Sequence, residues 1–129
     1  MTVYIRTDSN YKVGGGHLSR MLILAKEFKL KRKNVIFLVK NTDQNALRSI
    51  KKNFSLIQIP YRFNIKQEIK FLNNIFKEDK ISLIKDLYTI GNRWEKFFYE
   101  LNNIKLTVID DYTTVKHTCD FLINYSIYK

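Results

Sequence analysis

An open α/β sheet of the Rossmann-like kind, with parallel strands and helices on both faces, is the fold class predicted by this sequence. Three observations predict it. Short β-branched and apolar runs alternate with segments of helical spacing along the whole chain. One run, Val35-Ile36-Phe37-Leu38-Val39, is apolar at every position, as a strand buried on both faces of a parallel sheet must be. A run of glycines separates the first strand from the first helix.

Thr2 to Thr7 is β-branched and aromatic and forms the first strand. From Gly16 to Phe28, residues Leu18, Met21, Leu22, Leu24, Ala25 and Phe28 recur at helical spacing. The apolar run at 35–39 is the second strand, and Thr42 or Asp43 caps a helix that continues to about Lys52. A third strand runs from Phe54 to Ile59 and is closed by Pro60. Ile65, Ile69, Leu72 and Phe76 share one face of a third helix. Ile81 to Ile84 is a fourth strand that leads into Asp86-Leu87-Tyr88. After Gly91, the stripe Trp94, Phe97, Phe98 and Leu101 marks a fourth helix whose aromatic residues fill core. Leu106 to Ile109 is a fifth strand that ends at Asp110-Asp111, and Asp120 to Asn124 forms a short sixth. Parallel sheets take ligands beyond the carboxyl ends of their strands. Three polar exits, Asp8 to His17, Asp86 to Tyr88 and Asp110 to His117, therefore converge on one rim.

At 129 residues, 45% of them hydrophobic, the chain fits a single domain, 1–129, with one ordinary core. Its formal net charge is +11, but the lysines are spread along the sequence among asparagines and isoleucines. The one tight cluster, Lys29-Leu30-Lys31-Arg32-Lys33, falls where the first helix ends, and cations there meet the negative end of the helix dipole. No nucleic-acid partner is expected, since base-reading and aromatic-stacking signatures are missing. The positive field suits an anionic small molecule. With a single cysteine, Cys119, the chain has no internal disulfide, and no apolar run approaches the roughly 20 residues of a membrane span. The expected setting is cytoplasmic, without a membrane partner.

The chemistry concentrates in Asp8-Ser9-Asn10-Tyr11-Lys12-Val13-Gly14-Gly15-Gly16-His17-Leu18-Ser19-Arg20. Without Cβ atoms, Gly14, Gly15 and Gly16 can turn their N–H groups toward an anion, and the helix that follows adds its own N–H groups and dipole. His17 falls in the first helical turn, where an imidazole can take a proton from water. The glycine spacing is not that of the dinucleotide fingerprint, and a lone histidine near a helix start needs no chemistry. Arg20, three residues on, shares the face of His17 and either contacts phosphate or pairs with Asp8. Asp86 and Tyr88 either end a strand or face a ligand. Asp110 and Asp111 are read as caps of the next turn, and His117 and Cys119 as supporting residues, because two ligands do not make a zinc site. No metal and no cofactor is expected.

The order Arg6-x-Asp8-Ser9, then Val13-Gly14-x-Gly16-His17-x-x-Arg20, resembles the N-terminal domain of the UDP-sugar hydrolases of pseudaminic acid biosynthesis. Asp86-x-Tyr88 with Trp94-Glu95 is similar to that family's central motif. Ile109-Asp110-Asp111, His117-x-Cys119-Asp120 and Leu122-Ile123-Asn124 are similar to the end of its first domain. The resemblance covers nearly the whole chain and is weakest over residues 41–80. It implies the N-terminal half of a GT-B-type fold that releases UDP from a UDP-2,4-diacetamido-2,4,6-trideoxyhexose. In that reading the histidine at position 17 activates the water that attacks the anomeric carbon, with inversion and no metal. It also implies that Arg6, Asp8, Ser9, the glycine turn, Arg20, Asp86 and Tyr88 line the substrate site. The family's second α/β domain, which holds most of the uridine and diphosphate contacts, has no counterpart in these 129 residues. Two alternatives stand beside the hydrolase: the acceptor domain of a GT-B glycosyltransferase, and a non-catalytic half-enzyme that assembles with a separate C-terminal domain or with itself.

Overall fold

In a computed structural model, residues 1–10, 16–111 and 115–124 of the chain are described. Six strands, β1 (Thr2–Thr7), β2 (Asn34–Val39), β3 (Ser55–Gln58), β4 (Ile81–Asp86), β5 (Ile104–Ile109) and β6 (Phe121–Ile123), form one sheet in the order β3-β2-β1-β4-β5-β6. Every pairing is parallel. The order runs outward in both directions from the β1/β4 pair, and that reversal opens a crevice at the carboxyl ends of the two central strands. Helices α1 (Gly16–Leu30), α2 (Gln44–Lys51), α3 (Ile65–Ile75) and α4 (Asn92–Tyr99) connect the first five strands.

Successive side chains of a strand point to opposite faces, so the sheet has two cores. On one face Val3, Ile5, Phe37 and Ile84 pack with Leu18, Met21 and Ala25 of α1 and with Leu47 and Ile50 of α2. On the other, Tyr4, Leu38, Leu83 and Leu106 pack with Ile69 and Leu72 of α3 and with Trp94 and Phe98 of α4. Trp94 and Phe98 are fully buried and Phe97 partly so, as the aromatic stripe predicted.

Local chemistry sets the helix limits. The Asp43 side chain accepts from the Ala46 N–H and starts α2; Asn64 and Gln67 form a reciprocal capping box at α3. α1 runs to Leu30, two residues past the predicted end. It closes in a Schellman turn, with Lys33 N–H on the Phe28 carbonyl, Arg32 N–H on the Lys29 carbonyl and Arg32 at φ 62°. β6 is three residues long and exposed throughout, as befits an edge strand. Among the described residues no helix is long and apolar enough to cross a membrane.

Candidate active site

The carboxyl ends of β1, β4 and β5 are neighbours, so the described parts of the three predicted polar exits meet on one rim. β4 extends to Asp86, which lies opposite Thr7 of β1 and is held by a hydrogen bond from Thr7 Oγ1 to its carbonyl oxygen at 3.2 Å. The Asp86 side chain is fully buried and turned toward α1. His17, in the first turn of α1, sets its Nδ1 2.6 Å from Asp86 Oδ1. Arg20, one helical turn on, donates from Nε to Asp86 Oδ2 at 3.1 Å and from Nη2 to Oδ1 at 2.8 Å. Its Nη1 donates to Asp111 Oδ2 at 2.6 Å. Tyr88 completes the cluster: its hydroxyl donates to Asp111 Oδ2 at 3.2 Å, and its ring meets the His17 ring edge-on at 4.9 Å.

The hydrogen-bond partners assign the His17 tautomer. An ionised carboxylate only accepts, so Nδ1 must carry the proton that Asp86 receives. The Arg20 Nη2 contact, at 3.3 Å, would require Nδ1 as acceptor and is the longer of the two. With Nδ1 protonated, Nε2 bears the free lone pair. That is the arrangement by which an acidic partner prepares a histidine as a general base. Hydrogen bonds to Asp86 and Asp111 raise the Arg20 pKa despite its partial burial. Burial pushes the Tyr88 phenol up, which keeps it a neutral donor.

The remaining predicted site residues lie deeper. Arg6 is buried and binds Glu68 of α3 through Nε at 3.0 Å and Nη2 at 3.2 Å. Its Nη1 donates to Asp8 Oδ1 at 2.9 Å. Burial opposes the Arg6 charge, but Asp8 and Glu68 outweigh it and raise its pKa. Asp8 also accepts from the Lys40 N–H at 2.7 Å, and the Ser9 carbonyl accepts from the Asp43 N–H at 3.0 Å. Both residues thereby fasten the loop after β2 beneath the rim. Of the two partners read for Arg20, Asp8 is not the one met: Asp8 is taken up by Arg6, and the carboxylates that Arg20 meets among the described residues are Asp86 and Asp111. Gly16 opens α1, whereas Gly14 and Gly15 lie outside the described residues.

A second charged cluster backs the first across the sheet. Lys85 Nζ donates to Glu95 Oε2 at 2.5 Å and to the Ile90 carbonyl at 2.7 Å. His117 bridges Glu95 and Asp110, with Nδ1 2.8 Å from one and Nε2 2.6 Å from the other. His117 thereby ties α4 to the exit of β5. Cys119 packs partly buried against the core, and burial with nearby Glu95 and Asp120 pushes its thiol up.

Sequence reasoning missed Glu68 and Lys85, named Glu95 only as part of a motif and undervalued Asp111. A signal for Glu68 existed: it lies three residues after Ile65 on the apolar face of α3, where a carboxylate needs a buried cation. Two cavities open on the rim. One of about 370 Å³ is bounded by Arg6, Asp8, Lys40, Tyr61 and Thr89, and one of about 330 Å³ by Tyr88, Asn92, Asp110 and His117.

Fold and site together define a Rossmann-like α/β domain that carries a carboxylate-held imidazole at the switch point of its sheet. No family model matches the chain. It is, however, 32% identical over 132 residues to the UDP-2,4-diacetamido-2,4,6-trideoxy-beta-L-altropyranose hydrolase of Campylobacter jejuni. The match takes in 99% of this chain and 43% of that enzyme, so the chain spans less than half of its relative's length. The resemblance to these hydrolases, read from the ordered motifs, thus holds along nearly the whole sequence.

Proposed function

We propose that the chain is the base-bearing domain of a UDP-sugar hydrolase of the GT-B type, acting on a UDP-2,4-diacetamido-2,4,6-trideoxyhexose. The observation that carries this reading is the 2.6 Å contact between His17 Nδ1 and Asp86, which assigns the proton to Nδ1 and the lone pair to Nε2. A water held by Nε2 gives up a proton as its oxygen attacks the anomeric carbon. The bond from that carbon to the diphosphate oxygen breaks, and UDP leaves with the electron pair. The resulting imidazolium is stabilised by Asp86. Because UDP is a good leaving group, the main tasks are to position water and to stabilise the departing charge. The helix N-terminus beside His17 suits that charge. The 43% coverage of the relative fits a second domain that supplies the uridine contacts.

The test is UDP release from the UDP-linked 2,4-diacetamido-2,4,6-trideoxy-altropyranose. It is measured for the chain alone and for the chain joined to the remaining part of the Campylobacter enzyme, with His17→Ala alongside. Loss of a general base is expected to slow release by about 100- to 10,000-fold. Release that persists unchanged in His17→Ala, or none in either form, would overturn the proposal.

A further inference from the structure

We infer that Arg20 and Asp111 form a positioning pair that fixes the tautomer and orientation of His17 through Asp86. Arg20 is therefore not a ligand of the substrate's phosphates. The kinetic part of this inference rests on the hydrolase reading above; the structural part does not.

Asp86 is fully buried, and a buried carboxylate needs a compensating cation with matched geometry. Arg20 meets that need with a two-point grip on both carboxylate oxygens, at 3.1 and 2.8 Å. Such a fork fixes the plane of the carboxylate as well as its charge. Oδ1 is then shared by Arg20 Nη2 and His17, so the direction from which the imidazole is held follows from the direction of the guanidinium. A long, partly exposed arginine would not keep that direction unaided. Asp111 supplies the restraint, at 2.6 Å on Nη1, and is itself engaged by the Tyr88 hydroxyl. Tyr88 in turn packs its ring on His17. The chain of contacts closes on itself: His17, Asp86, Arg20, Asp111, Tyr88 and back to His17. It joins α1 to the exits of β4 and β5, so the imidazole is referenced to three elements of the scaffold. All three guanidinium nitrogens are engaged by Asp86 and Asp111, so a phosphate contact would have to compete with these carboxylates.

Two readouts test this on the chain with Arg20→Ala, Arg20→Lys and Asp111→Asn. The first is nitrogen NMR of the labelled histidines without substrate, with the His17 signals assigned by their loss in His17→Ala. The parent chain is expected to show His17 with the proton on Nδ1. Arg20→Ala should redistribute it toward Nε2, Asp111→Asn should do so in part, and Arg20→Lys should recover part of the parent pattern. The second is steady-state UDP release. A group that only orients the base should lower kcat, by about 100-fold for a displacement near 1 Å, and leave KM nearly unchanged. A raised KM with unchanged kcat and an unchanged His17 tautomer in all three variants would make Arg20 a phosphate ligand and overturn the inference. If no variant or parent releases UDP, the hydrolase reading falls, and the tautomer measurement still decides the positioning role. Should Arg20→Ala fail to fold, Arg20→Lys and Asp111→Asn carry the same comparison.

Discussion

Replacing Glu68 with glutamine should strongly destabilise the domain, although the two side chains are nearly the same shape. Glu68 is fully buried and accepts three hydrogen bonds, two from Arg6 at 3.0 and 3.2 Å and one from the Trp94 indole at 2.8 Å. Lys40 Nζ lies 4.0 Å away. A glutamine amide offers one acceptor and one NH2 group, so whichever way it turns, a donor faces Arg6 or Trp94. Arg6, itself buried, then keeps Asp8 as its charged partner among the described residues. Breaking a buried pair from one side costs about 3–5 kcal/mol, a large share of the roughly 5–15 kcal/mol that holds a domain folded. With a urea m value near 2 kcal/mol/M, that loss lowers the unfolding midpoint by roughly 1.5–2.5 M. The assay is urea unfolding followed by circular dichroism, with Arg6→Met and the double variant completing a cycle whose coupling should reach about 0.5–3 kcal/mol. A midpoint within about 0.5 M of the parent at unchanged m would refute the reasoning, since the pair would then contribute little beyond its desolvation cost.

Other perturbations test single links of the structure. Asp43→Ala removes the side-chain cap of α2 and should cost about 0.5–2 kcal/mol in thermal or urea unfolding. Arg32→Gly, at a left-handed position with φ 62°, should stabilise the chain by up to about 1.5 kcal/mol, the roughly 1–2 kcal/mol of relieved Cβ strain less the roughly 0.4–1 kcal/mol lost to a freer unfolded chain. Tyr4 has its phenol pushed up to about 12 by burial and by its bond to Glu78. An ultraviolet titration should therefore show one tyrosine that ionises about two units later than an ordinary phenol and that disappears in Tyr4→Phe. The sign for stability follows, since the folded chain holds this proton more tightly than the unfolded one. The contribution is whole below pH 10 and is lost as the pH rises toward 12.

The fold was largely legible because its information is local. Helical spacing in α1 and α3, the wholly apolar β2 run and the cap residues of α2 each act within a few neighbours. Convergence of the three polar exits was legible too, since it follows from parallel topology once the strands are recognised. What stayed hidden is the choice of partner. For Arg20 the sequence offers a phosphate or Asp8, twelve residues away, yet its acceptors are 66 and 91 residues distant and reach it because β4 and β5 follow β1 in the sheet. Nothing in the spacing of a charged residue states which distant carboxylate the sheet will bring to it. The fully buried charges were hidden for the opposite reason. Lys85 closes the apolar run of β4, while Glu68 and Glu95 stand among polar neighbours in the sequence and come to the buried faces of α3 and α4 only through the helical turn, so a pattern read by hydrophobicity passes over all three.

Strand alternation also explains why the site depends on the core beneath it. Lys85 and Asp86 are consecutive on β4, and Asp110 and Asp111 are consecutive at the exit of β5, so each pair sends its members to opposite faces of the sheet. Asp86 and Asp111 hold His17 and Arg20 on the α1 face, while Lys85 and Asp110 bind Glu95 and His117 on the α4 face. A slip of one residue in β4 that brought Lys85 to His17 would put a cation in place of the carboxylate that orients the imidazole, and would set Ile84 beside Glu95, which would lose its lysine. The register of β4 against β1, set by Leu83 and Ile84 opposite Tyr4 and Ile5, is therefore also what selects the charge that His17 meets. Two ion networks of opposite preference on one pair of strand ends penalise the slipped alternative on both faces at once, so the polar rim reports the register that the apolar core enforces.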